Sequence, residues 1–363
     1  MTASVALEYF MYAGEGQMVR TTLRDSRIKW FAGSVVALLT LLPILSGCGL
    51  ASDLTQKKAE TAFAMRAEGG SGLMNCQGEW VLEPVGQEVG LISGPMTDGW
   101  ALLMDINQNN FNYINSKGEL LLQEPVERGM PFFGGLAAVG VDGAWGFIDT
   151  KGEMVIAPQF VSNFIGNFSG GLANVAVETN DLGMPLSWIF INEKGGKVLG
   201  PYDGTGAFSN GYASASLITE DQHLQSGFID AQGEFVLMFT EEDDLRPNGL
   251  YGEGLFPVVD AQKQLSEGTC SRGYMDKEAN WVVEPLYCGT GVFSEGLAPV
   301  SRSMEQPMLW GYIDTKGEMV IPESFVQAEP FQGGCARVFW DNYNGIGLIN
   351  EKGEFIYKYE PEG

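Results

Sequence analysis

The sequence predicts an all-β protein: a tandem array of about eight antiparallel β-meander repeats, closing into a propeller-like ring in preference to an open β solenoid. Three observations carry this reading. The phrase W-G-[FY]-I-D-T-K-G-E-M-V-I stands at 145–156 and again at 310–321, with six looser copies elsewhere. Every copy has Asp or Asn at one position and nearly every copy has Gly three residues later. A second phrase, F-x-x-G-[LY]-A, follows most copies and leads into an apolar stretch.

The turn comes first. Its Asx column is Asn75, Asn115, Asp149, Asn192, Asp230, Asp276, Asp314 and Asn350, spaced 34 to 46 residues apart. The closing column is Gly78, Gly118, Gly152, Gly195, Gly233, Ala279, Gly317 and Gly353. An Asx side chain opening a turn accepts a backbone N–H two residues on, and glycine closes it in the left-handed conformation, so this pair of columns marks a hairpin. The flanks are strand formers, as in Gly146-Phe147-Ile148 before the turn and Met154-Val155-Ile156 after it. The second phrase, at 132–137, 168–173, 208–213, 293–298 and 331–336 and more weakly at 96–101 and 254–256, opens a third strand. Residues 62–67 supply the opening strand of the first unit. One three-stranded meander cannot bury its own apolar face, so successive units must cover one another.

The residues W-G-[FY]-I-D-x-x-G-x-x-V-I, followed by Pro158 or Pro322 and then F-x-x-G-L-A, resemble the bacterial WG repeat family from about 62 to 356. The likeness is sharpest in the third and seventh units. Asn112-Tyr113 stands for W-G in the second, Trp188-Ile189 in the fourth, Arg272-Gly273 in the sixth and Ile346-Gly347 in the last. The resemblance implies a repeat scaffold, usually without an assigned enzymatic activity.

The N-terminal region reads as an address. Arg20, Arg24, Arg27 and Lys29 precede an uncharged run over 30–52 whose apolar heart is 35–45. It ends in Leu45-Ser46-Gly47-Cys48, which resembles the lipobox of bacterial lipoproteins and implies lipidation and cleavage at Cys48. The expected organisation is a signal peptide over 1–47, with translation starting at Met1 or Met18, a lipidated tether over 48–61 and the repeat domain over 62–363. An uncleaved membrane helix is the alternative, weakened by Pro43, Ser46, Gly47 and Gly49. The expected location is the extracytoplasmic side of a membrane, held by the acyl chain at Cys48.

Charge and motif content narrow the chemistry. With 46 Asp and Glu against 21 Lys and Arg, the net charge is −25, which disfavours nucleic acid and favours a cationic partner. The single histidine, His223, lies in a polar linker over 219–225, and neither nucleotide-binding fingerprints nor a nucleophile elbow occurs. No cofactor is expected. Calcium at the Asx column is opposed by Lys117, Lys151, Lys194, Lys316 and Lys352, two residues after it; the run 241–244 suits a cation better. The recurrent Trp145, Trp188, Trp310, Phe168, Phe208, Phe293 and Phe331 read as packing between units, whereas Trp100 and Trp340, outside the W-G column, are the candidate ligand contacts. Free buried thiols are expected at Cys76, Cys270, Cys288 and Cys335, with a cross-strand disulfide between Cys270 and Cys288 the alternative. The function expected is a non-enzymatic scaffold binding an envelope protein or glycan; the alternatives are a carbohydrate hydrolase using two carboxylates and a spacer without a ligand.

Overall fold

In the structure, a computed structural model, all eight Asx positions make the same turn. Asp149 Oδ1 accepts the backbone N–H groups of Lys151 and Glu153, both at 2.9 Å, and Asp314 does the same for Lys316 and Glu318. The residue three places on has positive φ in every copy, from 78° to 85° at the glycines and 63° at Ala279. The turn chemistry read from the sequence therefore holds in the one copy that lacks glycine. The structure describes residues 12–13, 17–18 and 61–360, apart from 87–88, 92–94, 106, 268–269 and 341–344. Cys48 and nearly all of the expected signal and tether lie outside the described residues. Strands Tyr12–Ala13 and Gln17–Met18 pair antiparallel with each other.

The repeats lie in the unit Thr55–Gly363 and form eight antiparallel sheets, here called blades 1 to 8 in chain order. Blade 3 shows the full pattern: Arg128–Gly129, Leu136–Val141, Ala144–Asp149 and Met154–Phe160, hydrogen-bonded in that order. Among the described residues, five blades have four strands. The sequence suggests three, because the first strand spans only two or three residues and carries no alternation of its own. Its backbone pairing continues into the next residue: Met130 N–H donates to Ala138 O, Gly206 to Ser214 O and Gly291 to Pro299 O, at 2.8 to 2.9 Å.

Aromatic side chains join consecutive blades. The residue two places before the Asx position, on the third strand, packs edge-on against the phenylalanine of the next blade's F-x-x-G phrase: Tyr113 on Phe132, Phe147 on Phe168, Phe190 on Phe208, Tyr274 on Phe293 and Tyr312 on Phe331, with centroids 4.7 to 4.9 Å apart. That geometry suits the ring quadrupoles. Where the residue is tyrosine, its buried hydroxyl donates across the seam, Tyr113 to Met130 O, Tyr274 to Gly291 O and Tyr312 to Glu329 O, at 2.7 to 2.8 Å. Burial holds these phenols well above the ordinary tyrosine range. The periodic phenylalanines are thus core residues, as the sequence suggests.

The glycine of the W-G pair answers a steric demand. A Cβ on Gly146 would lie 2.5 Å from Ile156 O, and one on Gly311 would lie 2.4 Å from Ile321 O, where the bulged fourth strand crosses. Two blades solve this differently. The register places Phe111 and Asn112 in the W-G slots of blade 2, one residue earlier than the sequence reading. Asn112 Nδ2 donates to Leu122 O at 2.9 Å and its Oδ1 accepts Leu122 N–H at 3.0 Å, so a side-chain amide stands in for the ladder. Blade 4 has Ile189 there, and the glycine moves to the crossing strand: a Cβ on Gly200 would lie 2.8 Å from Trp188 O.

Blade 8 packs on blade 1, which closes the ring. Phe63, Met65 and Met74 share a core with Cys335, Ile346 and Leu348. Tyr357 Oη donates to Arg66 O at 2.7 Å, and a disulfide joins Cys76 to Cys335. Blade 1 has three strands, Ala62–Ala67, Gly70–Asn75 and Trp80–Val85, and no first strand among the described residues. Its Ala64 corresponds in register to Ala138, whose carbonyl the first strand caps in blade 3. Arg337 Nη1 of blade 8 donates to Ala64 O instead, at 2.9 Å, and Glu329 pairs with the buried guanidinium.

Candidate binding rim

Antiparallel blades put two kinds of connection at opposite ends of the strands. The Asx turns and the F-x-x-G turns share one end. The links between second and third strands, with the crossings to the next blade, share the other. The first end is uniform and is stitched from blade to blade by carboxylates: Asp98 accepts Gly135 N–H, Glu253 accepts Gly296 N–H, and Glu295 accepts both Gly333 and Gly334 N–H at 2.8 Å.

The opposite end is uneven. Blades 1 and 3 link their second and third strands through 68–69 and 142–143, whereas blades 4 to 7 use 180–184, 219–223, 261–271 and 302–309. These longer links are internally organised. Asn180 Oδ1 accepts Leu182 and Met184 N–H at 3.0 and 2.9 Å, and Thr219 Oγ1 accepts His223 N–H at 3.1 Å. Glu241 holds Leu224 N–H at 3.0 Å and lies 4.0 Å from His223 Nδ1. The helix Ala261–Glu267 is capped by Asp260, which accepts Lys263 N–H at 2.8 Å. A disulfide ties Cys270, just after it, to Cys288 with Cα atoms 4.3 Å apart, and Arg302 lies over the Tyr287 ring at 5.3 Å. All four described cysteines are therefore paired rather than free.

The two most exposed large apolar side chains among the described residues, Val161 at 82% and Leu182 at 74%, lie at this end with Leu186, Ile218 and Met304, while Leu120, Met154 and Phe355 are exposed toward the uniform end. Val177 and Leu186 sit at the two bulges of one hairpin, where an unpaired residue re-aims its side chain. Carboxylates neighbour several of them along the chain, Glu178 beside Val177, Asp181 beside Leu182 and Glu305 beside Met304. The backbone and hydroxyl of Thr240 donate to Asp243 and hold its carboxyl below the usual range. Asp276 and Glu360 are also lowered, by Asn280 and by Lys358. Among the described residues no group of His, Cys, Asp and Glu forms a metal-binding cluster. A cavity of about 220 Å³ opens at the same end on blade 1, at the 68–69 turn beside Arg66, Ser71 and Tyr359.

The two candidate tryptophans are not brought together. Trp100 begins the second strand of blade 2, at the uniform end, where it pairs with Thr97, and Trp340 ends the second strand of blade 8, at the uneven end. Trp340 is engaged already, edge-on to Phe355 at 5.2 Å and donating to Glu360 at 3.2 Å. Within the W-G column, Trp145 is buried beneath the Arg128 guanidinium at 4.6 Å.

The WG containing repeat matches at 145–178, 273–302 and 310–342, covering the third-strand hairpins of blades 3, 6 and 7 and the chain that leads into the following blade. These stretches are WG repeats. The remaining blades keep the turn, and blades 2 and 4 keep the edge-on aromatic seam, while varying the letters of the repeat. No curated protein sequence matches the chain. Among solved structures, apo AztD from Citrobacter koseri is 14% identical, covering 84% of this chain and 95% of its own, with a TM-score of 0.47. Hsv2 from Kluyvelomyces marxianus is 10% identical over 74% of this chain and 97% of its own, at 0.45. An acylaminoacyl peptidase from Pyrococcus horikoshii is 8% identical over 71% and 50%, at 0.44. At these levels nothing about ligand or reaction passes from them to this chain.

Proposed function

We propose that the chain is a non-enzymatic WG-repeat scaffold, anchored through lipid on Cys48 outside the cytoplasm, that presents the uneven end of blades 4 to 7 to a protein or glycan. The observation that carries this is the contrast between ends. Uniform turns serve the ring's own integrity, while unequal, preorganised loops on a rigid frame are the usual seat of binding. The two disulfides support an oxidising compartment, and the Leu45-Ser46-Gly47-Cys48 sequence supports the anchor.

The test is parallel capture from envelope extracts and on a glycan array, using the full chain and a variant in which 180–184 and 219–223 are replaced by two-residue turns. Retention of a defined protein or glycan by the native chain and its loss in the variant is expected. Equal capture by both would remove the rim from the reading, and silence in both formats would favour a spacer. Palmitate labelling that survives Cys48→Ser would remove the anchor.

A further inference from the structure

We infer that the uneven end of blades 4 and 5 docks a cationic, amphipathic polypeptide segment. This rests on the binding-rim reading above and names the class of partner. Two independent observations meet there. The first is apolar: Leu182 and Leu186 on the long hairpin of blade 4, Val161 on the crossing that enters that blade and Ile218 at the end of the second strand of blade 5 are all about half exposed or more. The crossing is held against the hairpin by Ala176 N–H to Phe164 O at 3.0 Å and by Phe164 edge-on to Trp188 at 6.1 Å. Exposed apolar groups rimmed by polar ones are the mark of a protein-contact surface.

The second observation is electrostatic. Between Lys197 and Arg246 the chain has no lysine or arginine, so blade 5 carries carboxylates without an intrinsic basic counter-charge. Those at its loop end, Glu220, Asp221 and the run 241–244, are exposed. His223 is itself exposed beside Glu241, and Arg246 follows the run 241–244. Such a field attracts a basic partner from a distance and screens out an acidic one. A segment with lysine or arginine on one side and aliphatic groups on the other satisfies both features. A small polyvalent cation satisfies only the charge, and a neutral glycan neither.

The test uses the full chain and a synthetic amphipathic peptide of lysine and leucine, followed by fluorescence anisotropy at low and at physiological ionic strength. The expected result is saturable binding that weakens at least tenfold in the Leu182→Ser, Leu186→Ser variant. It weakens several-fold in Glu220→Gln, Glu242→Gln, and less than twofold in Glu153→Gln, Glu318→Gln, which removes the same charge from the opposite end. Equal loss in the two charge variants, or no loss in the leucine variant, overturns the inference in favour of attraction by net charge alone. Complete competition by spermine without any effect of the leucines does the same. If the shortened-loop variant loses an envelope partner while the peptide fails to bind the native chain, the rim reading stands and the cationic class falls.

Discussion

The seams between consecutive blades and the seam between blades 8 and 1 do the same task with different chemistry. From blade 6 to 7 and from 7 to 8, a tyrosine packs edge-on against the next phenylalanine and its hydroxyl crosses to the next backbone. At the closing seam the equivalent position is Leu348, and a disulfide, a buried arginine and the Tyr357 hydroxyl take over. A seam between neighbours in sequence forms from contacts some 17 residues apart, as between Tyr312 and Glu329. The closing seam must bring together residues 259 apart. Loop closure over that distance is entropically unfavourable, and a covalent link acts on just this term by constraining the unfolded chain.

The comparison can be broken most decisively at the disulfide. Replacing Cys76 and Cys335 by serine should cost about 5–6 kcal/mol on the chain-entropy estimate, read as a lower urea midpoint that added reductant lowers further only by the smaller contribution of the Cys270–Cys288 bond. If instead the native chain unfolds at the same midpoint with and without reductant, the closing seam is held by packing alone. Next comes Arg337→Met, which leaves Glu329 unpaired in a half-buried site and Ala64 O without its guanidinium donor. A loss of about 3 kcal/mol is expected, with substantial recovery when Glu329→Leu is added. Failure of the double variant to recover would mean that the bond to Ala64 O, rather than the unpaired carboxylate, dominates.

The ordinary seams are tested by Tyr312→Phe, which preserves the edge-on ring and removes the hydroxyl bond to Glu329 O. A cost of about 1 kcal/mol is expected. No measurable change would show that the seams of blades 3 to 5, which carry phenylalanine in this column, are already complete without it. Ala279→Gly supplies the internal control, since it touches neither kind of seam and relieves a left-handed alanine with φ of 63°. It should raise the midpoint by up to about 1 kcal/mol, with the effect of Tyr312→Phe unchanged in its presence.

What the sequence discloses follows the same division. The Asx and glycine columns are legible at all eight turns because they are local: each turn is satisfied by bonds within four residues. The first strands escape notice because two residues cannot display a period of two, and Gly204–Thr205 has no side-chain pattern to read. The link between Cys76 and Cys335 escapes because only closure makes the first and last units neighbours, and nothing in a linear reading pairs a turn residue of one with a strand residue of the other. Of the uneven loops, the wide spacings before Asn192 and Asp276 announce two, those at 180–184 and 261–271. The link at 219–223 lies in a unit of ordinary length and leaves no such trace. Trp100 and Trp340 stand out in composition alone, and composition does not say which end of a strand a residue occupies.

The crossing in blade 4 has a consequence for how such chains diverge. What the fold requires there is a gap between two backbones, and either partner can leave it: Gly146 on one strand in blade 3, Gly200 on the other in blade 4. A lineage can therefore pass the small residue from strand to strand, through an ancestor with glycine on both, and erase the two letters of the signature without disturbing the module. Counting those letters undercounts the copies, and aligning on the bend rather than the tryptophan restores them.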